Sequence, residues 1–168
     1  KVNGFYNLLT NKIVSAPTPN NPAIWLPYNI GKVRSLGLDA AIELSHRFDS
    51  VLWSMDAKYT LLDATDRTPD SSTFGKQIPF VAKHTAYIGS TVTFDGWLIN
   101  ANWQGRFGRT ESGSENAADW NTVDLTVGKT IDVFLLKLSL RNIFDYRYSL
   151  ASGYPMPGRS AIVSVEYK

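Results

Sequence analysis

Strict alternation of apolar and polar side chains is the feature that most constrains how this chain can fold. Within residues 133–143, large apolar side chains occupy every second position, at Phe134, Leu136, Leu138 and Leu140. Between them stand the polar residues Lys137 and Ser139. Successive side chains of a β-strand point to opposite faces of the sheet, so this spacing predicts a strand with one apolar and one polar face.

The same alternation recurs along the chain, whereas helical spacing is almost absent. It predicts eight strands, over 2–14, 35–46, 51–63, 84–94, 97–109, 120–131, 133–143 and 160–168. We therefore expect an all-β chain without long helices.

The connections between these strands alternate in length. Long segments rich in Pro, Gly, Ser and Asn cover 15–24, 65–79, 110–119 and 146–158. Tight turns lie at 47–50, at 95–96 and around Asp132. This layout predicts an antiparallel up-and-down meander with short turns at one end and long loops at the other, as in outer-membrane barrels.

Composition excludes several function classes. The net charge is +2, with no basic run, so no nucleic-acid partner is expected. The absence of cysteine excludes disulfides and thiolate chemistry. No stretch approaches the ~20 apolar residues of a membrane helix. The mean hydropathy of −0.16 resembles that of a soluble protein, but a membrane β-barrel averages lipid-facing and lumen-facing residues to a similar value.

The apolar face of five strands lacks charge for about nine residues, enough to cross ~25 Å of hydrocarbon when tilted. Aromatic residues border it. Near the short turns these are Phe48, Trp53, Phe94, Trp97 and Phe134, and near the long loops Tyr59, Trp103, Phe107 and Trp120. Lys129 is the exception to the uncharged face and lies near a short turn. The pattern favours a membrane barrel over a soluble, lipocalin-like barrel with its apolar face inward, without excluding the latter.

Two motifs near the end of the chain carry a family resemblance. They are Asn142-Ile143-Phe144-Asp145-Tyr146-Arg147-Tyr148 and Gly153-Tyr154-Pro155-Met156-Pro157-Gly158-Arg159, followed by an alternating strand. Together they resemble the ending of TonB-dependent receptors. Segments 28–39, 75–79 with the following His84, and 120–125 are similar to further stretches of that family. The resemblance spans nearly the whole chain.

The resemblance implies that residues 1–168 are the C-terminal part of a larger transmembrane barrel. Barrels of this family have about twenty-two strands and an N-terminal plug domain, so we expect earlier strands and the plug to precede Lys1, which stands mid-strand. Family members also end in an aromatic residue, which we expect one position beyond Lys168.

The resemblance further implies active transport across the bacterial outer membrane, with no enzymatic activity and no cofactor. The cargo would be a scarce nutrient complex (ferric siderophore, haem or cobalamin), and the Gly-Tyr-Pro-x-Pro-Gly-Arg ending looks most like the cobalamin branch. The implied partners are outer-membrane lipid, the plug domain, TonB, which energises transport, and a nutrient ligand held by the extracellular loops.

Candidate site residues fall into two groups. Charged residues on the polar face are candidates for ligand contact in the lumen: Asp56, Lys58, Arg106, Asp124 and Arg141. The C-terminal motifs supply structural candidates: Asn142, Phe144, Asp145, Tyr148, Pro157, Gly158 and Arg159. Asn142 and Asp145 are expected to satisfy backbone groups where a strand ends. We expect no catalytic residues and no metal site, since the two histidines, His46 and His84, are far apart in the sequence.

A second hypothesis keeps the chain complete. Eight strands can close into a barrel around side chains or one small ligand. The chain would then be a small outer-membrane adhesin or enzyme, or a soluble lipocalin-like binding protein.

Overall fold

The computed structural model describes residues 1–18, 21–111 and 117–167. Its elements are strands: β1 (Val2–Thr18), β2 (Asn21–Phe48), β3 (Val51–Asp66), β4 (His84–Phe94), β5 (Trp97–Phe107), β6 (Trp120–Ile131), β7 (Phe134–Arg141), β8 (Ser149–Ala151), β9 (Tyr154–Pro155) and β10 (Ser160–Tyr167). Across these described ranges no helix is long and apolar enough to cross a membrane. The all-β prediction is confirmed.

Eight strands form one antiparallel sheet in the order β1-β2-β3-β4-β5-β6-β7-β10. Each strand pairs with its sequence neighbour, apart from the last step, where β10 returns beside β7 past the small β8–β9 hairpin. The predicted meander of eight strands is therefore confirmed. In the described part of the chain β1 and β10 are the two edges of an open sheet, which does not favour the closed eight-stranded alternative.

The short turns use residues suited to left-handed backbone. Asp95 and Gly96 both have positive φ, 44° and 69°, as the tight two-residue turns of hairpins require. Asp49 and Asp132 take similar conformations in the other two turns. All three turns lie at the same end of the sheet, which we call the turn end; the opposite end is the loop end.

The predicted loop at 15–24 is wrong over most of its length. β1 continues to Thr18 and β2 begins at Asn21, so a long two-stranded hairpin extends past the rest of the sheet. The pairing of β2 with β3 stops at Val33 and Asp66. Beyond that point each strand has one free edge, and a free edge tolerates a proline such as Pro17, which lies within the predicted loop.

The strand register places the apolar residues on one face. A typical row across the sheet joins Val92, Ile99, Val127, Leu138 and Val163. These side chains have no covering layer: Ile99 is 38% exposed and Leu138 45% exposed. A continuous exposed apolar surface that crosses five strands marks a contact with another apolar phase. The small buried core, Val33, Ala64 and Ile78, lies instead at the loop end.

Aromatic residues border the apolar face at the turn end. The rings of Phe134 and Tyr167 meet edge to face at 5.9 Å. Lys129, which shares this face, turns its Nζ over the Trp97 ring at 4.9 Å and donates to the Asp95 carbonyl at 2.6 Å. A lysine in this position buries its stem and keeps its ammonium group in the interface region.

The assignment of Trp120 to the aromatic border at the loop end is wrong. Trp120 pairs in register with Arg106 and so lies on the polar face. It is 5% exposed and stacks on Tyr148 with 4.6 Å between ring centroids. Trp103 and Phe107 are on the apolar face, where their rings stack at 6.3 Å.

Candidate ligand site at the loop end

A cavity of about 880 Å³ opens between the loops at the loop end. Four separate parts of the chain form its wall: the β1–β2 hairpin, the segment before β4, the region that ends β5, and the β8–β9 hairpin. The lining residues are Trp25, Ile78, Pro79, Phe80, Val81, Arg106, Arg109, Leu150, Ala151, Gly153, Tyr154, Pro155 and Met156. A cavity with mostly apolar walls and a few polar groups is the usual form of a small-molecule site.

Three aromatic rings from distant parts of the sequence meet in this wall. The Trp25 ring centroid lies 5.5 Å from that of Phe80 and 5.4 Å from that of Tyr154, the latter edge to face. The indole N–H of Trp25 is buried and has no hydrogen-bond partner among the described residues. A buried, unpaired donor of this kind costs about 1–3 kcal/mol.

The segment between β3 and β4 is held by the carboxylate of Asp66. This residue ends β3 beyond the apolar band and is buried. The carboxylate accepts hydrogen bonds from the Thr68 amide at 2.7 Å, the Ser71 hydroxyl at 2.8 Å and the Thr73 hydroxyl at 2.6 Å. Burial alone would raise its pKa, but these hydrogen bonds outweigh burial and lower the pKa to about 2.

We expect Asp66→Asn to open this segment. A pKa of about 2 against an ordinary value of 3.8 corresponds to about 2 kcal/mol of stabilisation at neutral pH. The low pKa means that this stabilisation is complete above pH 3.8 and is lost as pH falls towards 2. Trypsin cleavage after Arg67 at neutral pH measures the opening, and we expect it to accelerate about thirtyfold.

The matched control is Asp70→Asn. Asp70 lies in the same segment, is exposed and has a positive φ of 59°, which asparagine tolerates. The Asp70→Asn substitution removes the same charge but leaves the hydrogen bonds of Asp66 in place. Equal acceleration in both variants would show that net charge, and not the Asp66 carboxylate, controls the segment.

Arg109 fastens two walls of the cavity together. Its side chain is 3% exposed. The guanidinium donates to the carbonyls of Ala118, Ser149 and Leu150, joining the region after β5 to strand β8. Burial, followed by the nearby charge of Arg106, lowers the pKa of Arg109 from its ordinary value. Since its hydrogen bonds go to the backbone, Arg109 positions the wall.

The Asn142 side chain closes a tight backbone turn at the end of β7. Its Nδ2 donates to the Tyr146 carbonyl and its Oδ1 accepts from the Tyr146 amide, both at 2.9 Å. The Asn142 amide donates to the Asp124 carboxylate at 2.8 Å. Asn142 is 5% exposed and has a positive φ of 49°. Asp124, one of the polar-face candidates, thus helps to anchor this turn.

Asp145 joins the two C-terminal motifs. Its carboxylate accepts from the Arg159 amide at 2.8 Å, and this hydrogen bond lowers its pKa. A side chain at Gly158 would collide with the same Oδ1, which explains the glycine. The Arg147 guanidinium lies 3.7 Å from the Asp145 carboxylate. Pro157, next to Gly158, is exposed.

The aromatic members of the first motif have different positions. Phe144 is strongly exposed. Tyr148 stacks on Trp120, and burial together with Asp124 raises its pKa. The Arg106 guanidinium lies over the Trp120 ring, 5.7 Å from the ring centroid.

Of the five polar-face candidates, only Arg106 lines the cavity. Asp56 and Lys58 lie farther down the sheet and form an ion pair at 3.7 Å. Arg141 ends β7 and is exposed. Sequence reasoning missed Trp25, Phe80, Arg109 and Tyr154. For the three aromatic residues, the available signal was a bulky ring within a proline-rich segment. Such a ring gains no apolar contact unless these segments pack together.

Metal-ligating groups are not gathered anywhere in the described ranges: no cluster of three or more His, Cys, Asp or Glu side chains occurs there. His84 lies on the apolar face, with its Nδ1 2.7 Å from the Tyr59 hydroxyl. His46 packs against the Phe48 ring at 4.3 Å.

Comparison with known proteins identifies the family. Residues 1–143 match the family model described as TonB dependent receptor-like, beta-barrel. The chain belongs to this family. TonB-dependent receptors are outer-membrane transporters and not enzymes, so this β-barrel segment lies in the bacterial outer membrane with its apolar face toward lipid. The soluble, lipocalin-like alternative is not favoured.

Solved structures of two receptors and a copper transporter share the fold. The siderophore receptor PiuA from Acinetobacter baumannii superimposes with a TM-score of 0.72 at 20% identity, over 99% of this chain and 25% of that one. The copper transporter OprC gives 0.73 at 16%, over 99% and 27%. The ferric yersiniabactin uptake receptor FyuA from Yersinia pestis gives 0.67 at 22%, over 98% and 25%. The chain thus spans about a quarter of each of these proteins.

Proposed function

We propose that the chain is the C-terminal part of the barrel of a receptor that imports a scarce nutrient complex, energised through TonB. The cargo is a ferric siderophore, haem or cobalamin. A plug domain and the remaining strands belong to the same receptor. The observation that carries this proposal is the cavity at the loop end, whose wall combines four separate parts of the chain.

The sheet geometry supports this role. In outer-membrane barrels the short turns are periplasmic and the longer loops extracellular, which puts the cavity on the outer surface, where a nutrient first arrives. The free edges of β1 and β10 are the positions at which the remaining strands of a closed barrel pair.

Uptake of radiolabelled nutrient in cells tests the proposal. Parallel cultures receive ferric siderophores, haem or cobalamin. We expect deletion of the full-length receptor gene to abolish uptake of one of these nutrient complexes. Complementation restores it. Deletion of tonB in the complemented strain should abolish uptake while leaving surface binding intact. The proposal is contradicted if uptake of all of these complexes persists in the strain without the receptor. It is also contradicted if the receptor-dependent uptake persists after deletion of tonB.

A further inference from the structure

A shallow groove of about 270 Å³ crosses the apolar face between β2, β3 and β4. The residues of this face that line it are Ala40, Ile42, Ala57, Tyr59, Ala86 and Ile88. Ala57 lies at its centre, because it pairs in register with Ile42 on one side and Ile88 on the other. Small residues let a partner approach the backbone closely, as they do between membrane helices. The groove therefore offers a seat to an apolar chain.

A polar pair lies at the end of the groove nearer the loops. The Tyr59 hydroxyl is 2.7 Å from Nδ1 of His84, and the two rings stack with 6.1 Å between their centroids. Tyr59 is 39% exposed and belongs to the aromatic border at the loop end. Side chains with an apolar body and a polar tip prefer the level of the lipid headgroups. The groove thus begins in hydrocarbon and ends at the headgroups.

Two cations lie beyond this border on the same face. Lys32 follows the two-residue spacing of Arg34 and Leu36, so the three side chains share one side of β2. Arg67 stands opposite Lys32, since its amide donates to the Lys32 carbonyl at 2.8 Å and continues the β2–β3 ladder. Arg34 is neutralised by Asp63 at 2.6 Å. Within the described ranges Lys32 and Arg67 have no ion-pair partner.

The height of the two cations narrows the class of lipid. Lys32 stands six residues beyond Leu38, which shares a row with Leu61 and His84. Six residues are roughly 20 Å along a strand, or about 15 Å of height at a tilt of ~35–45°. The headgroup layer of an ordinary bilayer is only about 5–8 Å deep on each side. A glycerophospholipid keeps its charge below the cations, whereas an acidic glycolipid carries negative groups on sugars farther from its chains.

We infer that this surface holds an acidic glycolipid of the outer leaflet, with one acyl chain in the groove and negative groups of its sugars at Lys32 and Arg67. The long loops of outer-membrane barrels are extracellular, which places the groove in the outer leaflet. The site is on the outside of the barrel, so it is separate from the loop-end cavity and independent of the cargo. Lys32 lies at the base of the β1–β2 hairpin and Arg67 begins the segment before β4, so the bound sugars fasten both segments to the membrane surface.

Two anionic lipids test the inference on the purified full-length receptor in detergent. One is lipid A extended by two acidic octulosonate sugars, and the other is phosphatidylglycerol, whose charge lies close to its chains. We expect native mass spectrometry at low salt to show at least about tenfold tighter binding of the glycolipid. Free octulosonate at the same concentration has no acyl chain and should not displace the glycolipid.

Charge variants locate the headgroup. Lys32→Gln and Arg67→Gln should each weaken glycolipid binding about fivefold at low salt, the usual contribution of one cation near an anionic lipid surface. Neither should change phosphatidylglycerol binding more than about twofold. Arg47→Gln is the matched control, since Arg47 is exposed beside the β2–β3 turn, at the opposite end of the sheet, and it should leave the binding of both lipids unchanged.

A second pair of variants locates the acyl chain. Ala57→Leu fills the groove and should weaken glycolipid binding severalfold. Ala101→Leu is its control, because Ala101 is exposed on the same face outside the groove and pairs with Ser90 and Leu125. Heat-dependent mobility on gels shows that each barrel is folded. Should Ala57→Leu not fold, Ala86→Leu fills the same groove.

Three results overturn the inference. Equal binding of the two lipids removes the preference for a tall acidic headgroup. Glycolipid binding unaffected by Lys32→Gln and Arg67→Gln, or by filling the groove, places the lipid elsewhere on the barrel. A receptor dimer that is lost in Ala57→Leu shows that a second copy, and not a lipid, covers the groove.

Discussion

Leu138→Arg is expected to destabilise the barrel by about 2–4 kcal/mol, the cost of an arginine on the lipid face near the middle of the bilayer. Leu138 lies in the row of exposed apolar residues on β7. It stands four residues from Phe134 at the aromatic border, roughly 13 Å along the strand. An arginine there must either enter hydrocarbon or distort the surrounding lipid to reach the interface.

Ile131→Arg is the matched control for Leu138→Arg. Ile131 lies on the same face, is also exposed, and pairs with Phe134 beside a short turn. An arginine near the interface costs about 0–1 kcal/mol. Both variants replace an aliphatic residue with the same cation, so their difference reports depth in the membrane. Guanidinium unfolding of the full-length receptor in lipid vesicles measures both, and equal costs would contradict a lipid-facing Leu138.

Asn142→Ala is expected to open the turn after β7 at a cost of about 2–4 kcal/mol. The substitution removes both hydrogen bonds between the side chain and the Tyr146 backbone, each worth about 1 kcal/mol. It also places alanine at a φ of 49°, which costs a further 1–2 kcal/mol or so. Hydrogen exchange of the Tyr146 amide in the full-length receptor should accelerate by about thirtyfold to a thousandfold.

Asn142→Gly separates the two contributions. Glycine adopts positive φ without strain, so this variant loses the same hydrogen bonds but not the backbone preference. We expect its effect to be about half that of Asn142→Ala. If the Tyr146 amide exchanges at the native rate in both variants, the turn is held by other contacts.

The strands and their faces were predictable because period-2 patterning depends only on which side of each strand meets lipid. That constraint acts on every residue between the aromatic borders, and it identified Leu138 and Ile99 as members of one face. The long β1–β2 hairpin was not predictable in the same way. Above the apolar band neither side of the two-stranded hairpin meets lipid, so the alternation disappears, and Pro17 resembles a loop residue.

The cavity was still harder to predict from the sequence. Its walls come from segments more than a hundred residues apart, such as Trp25 and Tyr154, and their approach depends on how the loops pack. Polar-face charges were the natural candidates, yet Asp56 and Lys58 pair with each other and Asp124 anchors a turn. Trp120 was assigned to the wrong face because its residue type and its position near the end of a strand suit either face. Its face follows only from counting its register along the strand.

The most direct test of the account is which face of the sheet touches lipid. Single cysteines at Ile99, Asn100, Leu138 and Ser139 can carry nitroxide labels, and this chain has no native cysteine. In the full-length receptor in lipid vesicles, we expect electron paramagnetic resonance to show strong collisions with oxygen, which concentrates in the bilayer, at positions 99 and 138 and weak collisions at 100 and 139. Strong oxygen collisions at 100 and 139, with 99 and 138 shielded, would contradict the account.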